Sequence, residues 1–307
     1  MIVTVTPNPS IDRTLEIDRL ERGALIRAKR STAEAAGKGV NVSCALAAQG
    51  VPTVAVLPLA EDSATTYLRL LADATPISAV PIAGSIRTNV SVVEADGTLT
   101  KLNEPGPELA SDDVYAIIAA ATAAPGASWI VGCGSLPPGA PVDFYARLAG
   151  RASDRRVAID TSSEALGAAI CAGVALVKPN HEELEALVGR SLATIGDAAA
   201  AARELLARGC QAVLVSLGPD GALFVDANGA SHAEAPIDDV VNTVGAGDAL
   251  LAGFLAGGGE SGALGEAVAW SVAAIRSRGT RMRAVTAADR AAVIVHERID
   301  PSRRLRS

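Results

Sequence analysis

The chain has 307 residues, 49% hydrophobic and 20% charged, with a net charge of −7 and 3% aromatic side chains. That length supports a full core in one large α/β domain or two small ones. The acidic balance and scarcity of rings exclude a nucleic-acid surface, which needs a basic face and stacking platforms. In chain order, Ile2–Thr6 reads as a short apolar strand, Asn41–Gln49 as a helix closed by Gly50, Thr53–Leu57 as a strand and Asp62–Ala74 as a helix. Residues 89–94 and 98–102 then alternate with a period of two around Ala95-Asp96-Gly97, a hairpin with Asp-Gly turn chemistry. From Ser111 the pattern predicts helices over 111–124, 141–150, 164–171, 181–188 and 197–208, interleaved with strands over 128–132, 156–160, 174–177 and 212–216. A second hairpin, 222–226 with 230–235, turns through Asn228-Gly229, and helices over 247–256, 262–276 and 286–296 close the chain.

Strands alternating with helices imply a mostly parallel sheet flanked by helices. The 89–102 hairpin, joined by a strand near 13–18, interrupts that rhythm as a small inserted β lid. There is no Pro- or Ser-rich linker, low-complexity tail or internal repeat. The expectation is one domain over 1–307, with lid strands drawn from about 12–30 and 86–104. The longest uncharged stretch, Val114 to Val142, contains Pro125, Gly126, Pro137 and Pro138, so it cannot be one spanning helix of about 20 residues, and no membrane partner is expected. Charged residues arrive by Asp12 and Arg13, without a signal-peptide pattern. Cys44, Cys133, Cys171 and Cys210 lack paired spacing and read as small hydrophobes in apolar surroundings. His181, His232 and His296 lie far apart, with no zinc pattern. Together these predict a reduced cytoplasmic protein.

The most informative segment is Val241 to Ala249, VNTVGAGDA, a turn of small residues running into an apolar helix. Gly245, Ala246 and Gly247 leave amides bare at a helix N-terminus, where unpaired N–H groups and the helix dipole favour an anion. Asp248 points a base at whatever hydroxyl approaches that anion. An anion cradle beside a carboxylate is the minimal equipment for phosphoryl transfer to an alcohol; the plain alternative is a capped, buried helix with glycine packing. An Asp at a helix N-terminus is expected to titrate below its ordinary value of about 3.9 and so to be a weak base at rest.

Other segments are read in the same two-sided way. Ala36-Gly37-Lys38-Gly39-Val40-Asn41 suits close approach to a polyhydroxylated or phosphorylated ligand, or is a helix N-terminal turn capped by Asn41. It is not a Walker loop, since Thr32 stands where Gly is needed and Gly39 where Ser or Thr is needed. Asp12, at the carboxyl end of the first strand, either accepts two sugar hydroxyls or is a turn residue. Arg87 and Asn89 enter the hairpin and Lys101 leaves it, putting two cations on one lid rim, fit for a substrate phosphate or simply solvated. Lys178-Pro179-Asn180-His181-Glu182-Glu183 ends a strand and opens a helix; Asn180 and Glu183 form a capping box, or lie near hydrated magnesium. Ser216-Leu217-Gly218-Pro219-Asp220-Gly221 either cradles a nucleotide or connects a hairpin. Gly257, Gly259 and Gly262 match a dinucleotide spacing but follow a helix rather than a strand, so they read as a loop. Lys29, Lys38, Lys101 and Lys178 are the only lysines among 27 Lys and Arg residues. Three of them fall in these marked segments.

The segments TPNPSID (6–12), AGKGVNV (36–42), RTN (87–89), GSLPPG (134–139), IDTSS (159–163), KPNHEEL (178–184), VSLGPDGAL (215–223) and NTVGAGDA (242–249) occur in an order that resembles the phosphofructokinase-B family of sugar kinases, of ribokinase-like fold. The resemblance spans nearly the whole chain. It implies ATP-dependent phosphorylation of a ketohexose phosphate with magnesium. TPNPSID, AGKGVNV and KLNEPGPE (101–108) are most similar to members acting on fructose 1-phosphate to give the 1,6-bisphosphate. Tagatose 6-phosphate and fructose 6-phosphate are the alternatives, and a non-catalytic sugar-phosphate-binding module is a remoter one. Ala36, Cys133 and Asn242 depart from common family forms, which bears on fine specificity. The resemblance implies that Asp248 is the base and that Gly245, Ala246 and Gly247 hold the transferring phosphoryl group. Asp12, Gly37, Lys38, Asn41 and Asn89 then hold sugar hydroxyls, and Arg87 and Lys101 the substrate's phosphate. Lys178, Asn180, Ser216, Gly218 and Gly221 line the ATP cleft, with Asn180 and Glu183 reaching magnesium through water. An exposed lid edge suggests a homodimer.

Overall fold

The computed structural model describes residues 1–152, 154–277, 279, 281–296 and 298–306. Its centre is β1 (Ile2–Val5), four buried residues flanked by β4 (Thr53–Ala60) and β8 (Trp129–Cys133), both parallel to it. Continuous apolar runs such as these, buried on both faces, belong inside a parallel sheet. Parallel pairing continues outward to β5 (Ile77–Ile82) on one side. On the other it runs through β9 (Arg156–Asp160), β10 (Leu176–Val177) and β11 (Ala212–Ser216). The last three strands, β12 (Ala222–Asp226), β13 (Gly229–Glu234) and β14 (Ile294–His296), add antiparallel to complete a ten-stranded sheet.

Helices cover both faces and leave two apolar layers. One is built around Tyr67, Phe144, Tyr145 and Leu148, the other around Trp129, Phe224, Phe254 and Trp270. The second layer includes α8 (Ala246–Ala256) and α9 (Leu264–Ile275), which pack closely because Gly253 has no Cβ; one there would lie 2.7 Å from Trp270 Cγ. The strands expected as a lid, β2 (Ser10–Glu16), β3 (Arg30–Ala36), β6 (Arg87–Val93) and β7 (Leu99–Asn103), form a separate four-stranded sheet in the order β3-β2-β6-β7. It thus extends past the expected 12–30 segment to Ala36. The helices and strands between Ser111 and Ser216 fall close to the expected ranges.

Three expectations need correction. Strand β5 went unread because Pro76 and Pro81 and its small residues hide the alternation; as the sheet's edge strand it tolerates a proline. The helix expected over 286–296 is only α10 (Ala287–Ala291), after which the β-branched Ile294 and Val295 pair with β13 as β14. Cys171 is exposed rather than in apolar surroundings; Cys44 is half-buried and Cys133 and Cys210 are buried. The loop reading holds for Gly257 and Gly259, while Gly262 lies in a single 3-10 turn (Ser261–Ala263); a Cβ on Gly259 would strike the Trp129 ring at 2.4 Å. Among the described residues no helix is long and apolar enough to cross a membrane.

Candidate active site

The carboxyl ends of the parallel strands, where open α/β sheets hold ligands, gather a charged cluster in a buried setting. Asp160 ends β9 and is fully buried. Its two oxygens take separate lysines, Lys38 Nζ at 2.9 Å and Lys178 Nζ at 3.1 Å. Lys38 opens α1 (Lys38–Ala48), whose N-terminus crosses β1 so closely that a Cβ on Gly37 or Gly39 would lie 2.7 or 2.5 Å from Thr6. The glycines at 37 and 39 therefore permit this approach of backbone to β1, and Gly37 also adopts φ +140°. Lys178 follows β10 directly. Burial alone would raise the Asp160 carboxyl, but Lys178 and Lys38 outweigh it and hold the group below the usual range.

Asp248 lies in the first turn of α8, almost wholly buried, and Asn41 Nδ2 donates to its Oδ2 at 2.8 Å. Asn41 is thus not the cap of α1; Gly37 occupies that position. The Asp248 carboxyl is pushed up to about 6, first by burial and then by the charge of Asp160, with Asn41, Lys38 and Lys178 pulling against this. This reverses the expectation of a depressed value. Loss of water around the carboxylate and a second anion outweigh the helix N-terminus. Gly245 caps α8 in the left-handed region, φ +79°. The amide of Ala246 is turned to the Thr243 carbonyl at 3.3 Å, whereas those of Gly247 and Asp248 donate to no atom among the described residues. A Cβ on Gly247 would lie 3.5 Å from Lys178 Nζ, so bare amides and an ammonium face the same spot. Such a spot accommodates a multiply charged anion, with a carboxylate of near-neutral affinity for protons beside it.

On the lid, the register aligns Asp12 with Asn89 and Ser10 with Arg87. Asp12 Oδ1 accepts from Ser10 Oγ at 2.7 Å and Asn89 Nδ2 at 3.0 Å, leaving Oδ2 for a ligand. Arg87 lines a cavity of about 470 Å³ with Asn8, Pro105 and residues 135–138. Asn8 Oδ1, Arg87 Nε and Asn89 Oδ1 are buried without a hydrogen-bond partner, a costly state that a polar ligand relieves. The expected cation pair is not adjacent. Lys101 lies opposite Ser91, four residues along β6 from Arg87, about 13 Å at strand rise. It shares the Arg87 face but is exposed.

A second cleft, about 830 Å³, runs from the N-terminus of α8 past Asn180, Ser216, Gly218 and Gly221. Its far wall is apolar, with Leu250, Val268, Val272 and Ile275. Apolar walls with few polar groups are the usual make-up of a nucleobase-sized site. Asn180 and Glu183 do form a capping box, Asn180 Oδ1 accepting from Glu183 N at 2.7 Å and Glu183 Oε2 from Asn180 N at 2.9 Å, at the start of α6 (His181–Val188). Glu183 also lies near enough for its charge to act on Lys38. Its Oε1 stays outside the cap, which fits a magnesium ion held through water.

The structure therefore gathers Gly37, Lys38, Asn41, Lys178 and Asp248 at one point. Asp12, Arg87 and Asn89 lie on the lid, and Asn180, Ser216, Gly218, Gly221, Ala246 and Gly247 along the cleft. Reading the sequence missed Asp160, Asn8, Ser135 and the apolar cleft wall. Asp160 stands in the IDTSS segment, but its partners are known only from the fold.

The pfkB family carbohydrate kinase model matches residues 5–282. A 1-phosphofructokinase of Haloferax volcanii is 41% identical over 258 residues, 83% of each chain. One from Escherichia coli K12 is 34% identical over 267 residues, again 83% of each. Phosphofructokinase-2 from Escherichia coli, solved with substrates and products, superposes with a TM-score of 0.84 at 32% identity, over 94% of this chain and 97% of that one. Arabidopsis thaliana ribokinase, complexed with ribose and ATP, shares the fold at a TM-score of 0.76 and 23% identity, covering 92% of this chain and 95% of its own. With its ribokinase-like α/β architecture and a match from the first strand to beyond α9, this chain belongs to the pfkB family of carbohydrate kinases.

Proposed function

We propose that this protein is a 1-phosphofructokinase, transferring the γ-phosphoryl group of ATP to fructose 1-phosphate to give fructose 1,6-bisphosphate. The observation that carries the chemistry is Asp248: a buried carboxylate with a proton affinity near 6, at a helix N-terminus beside Lys178. The choice of sugar rests on relatives of that name at 34% to 41% identity, with the lid arginine Arg87 supplying a ligand for a phosphate already on the substrate.

In this reading the acceptor hydroxyl attacks the γ-phosphorus, its bond to the β-phosphate oxygen breaks, ADP leaves, and the hydroxyl proton passes to Asp248. A loose phosphoryl-transfer transition state needs that proton removed late, so most of the rate comes from placement and charge neutralisation. The amides of Gly245 and Gly247, with Ala246 contributing less, and the Lys178 ammonium take up charge on the transferring group. Asp12, Gly37, Lys38, Asn41 and Asn89 hold sugar hydroxyls. Arg87, with Asn8 and Ser135 beside it, takes the existing phosphate, while Lys101 adds attraction from a distance. Ser216, Gly218 and Gly221 border the nucleotide. Asn180 and Glu183 would hold magnesium through water, which would supply charge neutralisation for the ATP phosphates.

We read the chain as one kinase domain with an inserted lid. Exposed Leu25, Leu99 and Leu102 in the lid segments support pairing of two lids in a homodimer. The functional test is ADP release with fructose 1-phosphate, fructose 6-phosphate, tagatose 6-phosphate and adenosine as acceptors. The highest kcat/KM is expected for fructose 1-phosphate. Preference for another sugar phosphate changes the substrate within the family, and preference for adenosine overturns the reading.

A further inference from the structure

Beyond β14, the described residues 298–306 include Arg306, which lines the nucleotide cleft. Leu305 N donates to the Ala193 carbonyl at 2.9 Å, while Ile195 and Gly196 N donate to the Arg303 and Pro301 carbonyls at 3.0 and 3.2 Å. Gly196 accommodates this contact, since a Cβ there would sit 2.6 Å from the Pro301 oxygen. The segment is thus clamped against the start of α7 (Ile195–Arg208). Two of its arginines, Arg303 and Arg306, then reach the turn that follows β11. Arg303 bonds Glu234 through both terminal nitrogens and approaches Asp220 Oδ1 at 3.3 Å. Arg306 donates its backbone N to Asp220 Oδ2 at 2.6 Å, its Nε to Oδ1 at 3.0 Å, and a terminal nitrogen to the Pro219 carbonyl.

Asp220 is 1% exposed, and these donors satisfy both of its carboxylate oxygens. The turn it belongs to is held unevenly. Gly221 is fixed against β13, where a Cβ would lie 2.1 Å from the Ala233 oxygen; at Gly218, φ +56°, a Cβ would meet nothing within 4 Å. Both ends of the turn line the cleft, as do Pro219 and Arg306. We propose that Arg306 is a positioning residue for the nucleotide, holding the Gly218–Gly221 turn in place through Asp220 and the Pro219 carbonyl. This rests on the reading of the larger cleft as the nucleotide site.

The test compares the full-length protein with Arg306→Ala and Arg306→Lys, measuring steady-state kinetics, ADP binding by calorimetry, and melting temperature. Arg306→Ala is expected to raise the KM for ATP and the Kd for ADP about tenfold, with kcat at saturating ATP and the KM for the sugar phosphate within about twofold. Arg306→Lys keeps a cation for Asp220 and recovers part of the loss. An unchanged ATP KM and ADP Kd overturn the proposal, as does a fall in kcat and a rise in both KM values together with a lowered melting temperature. If the unsubstituted protein binds ADP but phosphorylates none of the sugars, the proposed function fails while the calorimetric comparison still decides the role of Arg306. Absence of ADP binding overturns both.

Discussion

At the scale of single residues, Asp248 and Asp160 show how one environment drives two carboxyls apart. Asp160 takes both lysines and stays below the ordinary range, whereas Asp248, facing that anion with one amide donor, rises to about 6. The folded state holds the Asp248 proton more tightly than the unfolded chain does. Its contribution to stability is therefore present below about pH 4 and lost as the pH rises through 6. Activity runs the other way, because a base must be ionised. The log of kcat/KM for the sugar phosphate is expected to fall with a slope of one below about pH 6, and a profile flat to pH 5 contradicts the assignment. Lys178→Met removes a cation that lowers Asp248, so the midpoint should move upward. Asp160→Asn leaves Lys178, 5% exposed in its side chain, without its partner; a loss of about 3 kcal/mol in denaturant unfolding is expected. The glycines before Asp248 singled it out in the sequence, but its proton affinity was not legible. That depends on burial and on Asp160, brought near only by the fold.

At the scale of elements, the start of α6 was readable because its capping is local, whereas that of α1 was misread, since Gly37 and not Asn41 stands at its cap. Asn180 and Glu183 satisfy each other across three residues, so Asn180→Ala is expected to cost about 1 kcal/mol of stability. It should also raise the magnesium concentration needed for half-maximal rate, and a stability loss with unchanged magnesium dependence would leave the pair a cap alone. The contact of α8 with α9 was not readable, since the need for Gly253 arises from Trp270 on another helix. Gly253→Ala should cost about 1–3 kcal/mol through overpacking, seen as a lowered melting temperature; an unchanged one contradicts the close approach. The same distinction explains β5 and β14. Both are edge strands whose identity comes from the neighbour they pair with, and Pro81 or an Ala-rich lead-in disguises them in sequence.

At the scale of the whole molecule, the alternation of strands and helices was enough to foresee a mostly parallel sheet with the 89–102 hairpin lying outside it. It did not foresee how the lid strands align. The parallel pairing of β2 with β6 brings Asp12 beside Asn89, and the β6–β7 register separates Arg87 from Lys101. The lid's exposed leucines lead to a further expectation: light scattering at micromolar concentration should report a dimer, and Leu102→Glu should shift it towards monomer. A monomeric unsubstituted protein contradicts lid pairing. The central claim is that Asp248 accepts the proton while the amides beside it hold the phosphoryl group. Its most direct test is Asp248→Asn, assayed with ATP and fructose 1-phosphate alongside calorimetric ATP binding. The account predicts turnover reduced by at least about 10²-fold with ATP affinity nearly unchanged, whereas turnover close to that of the unsubstituted protein contradicts it.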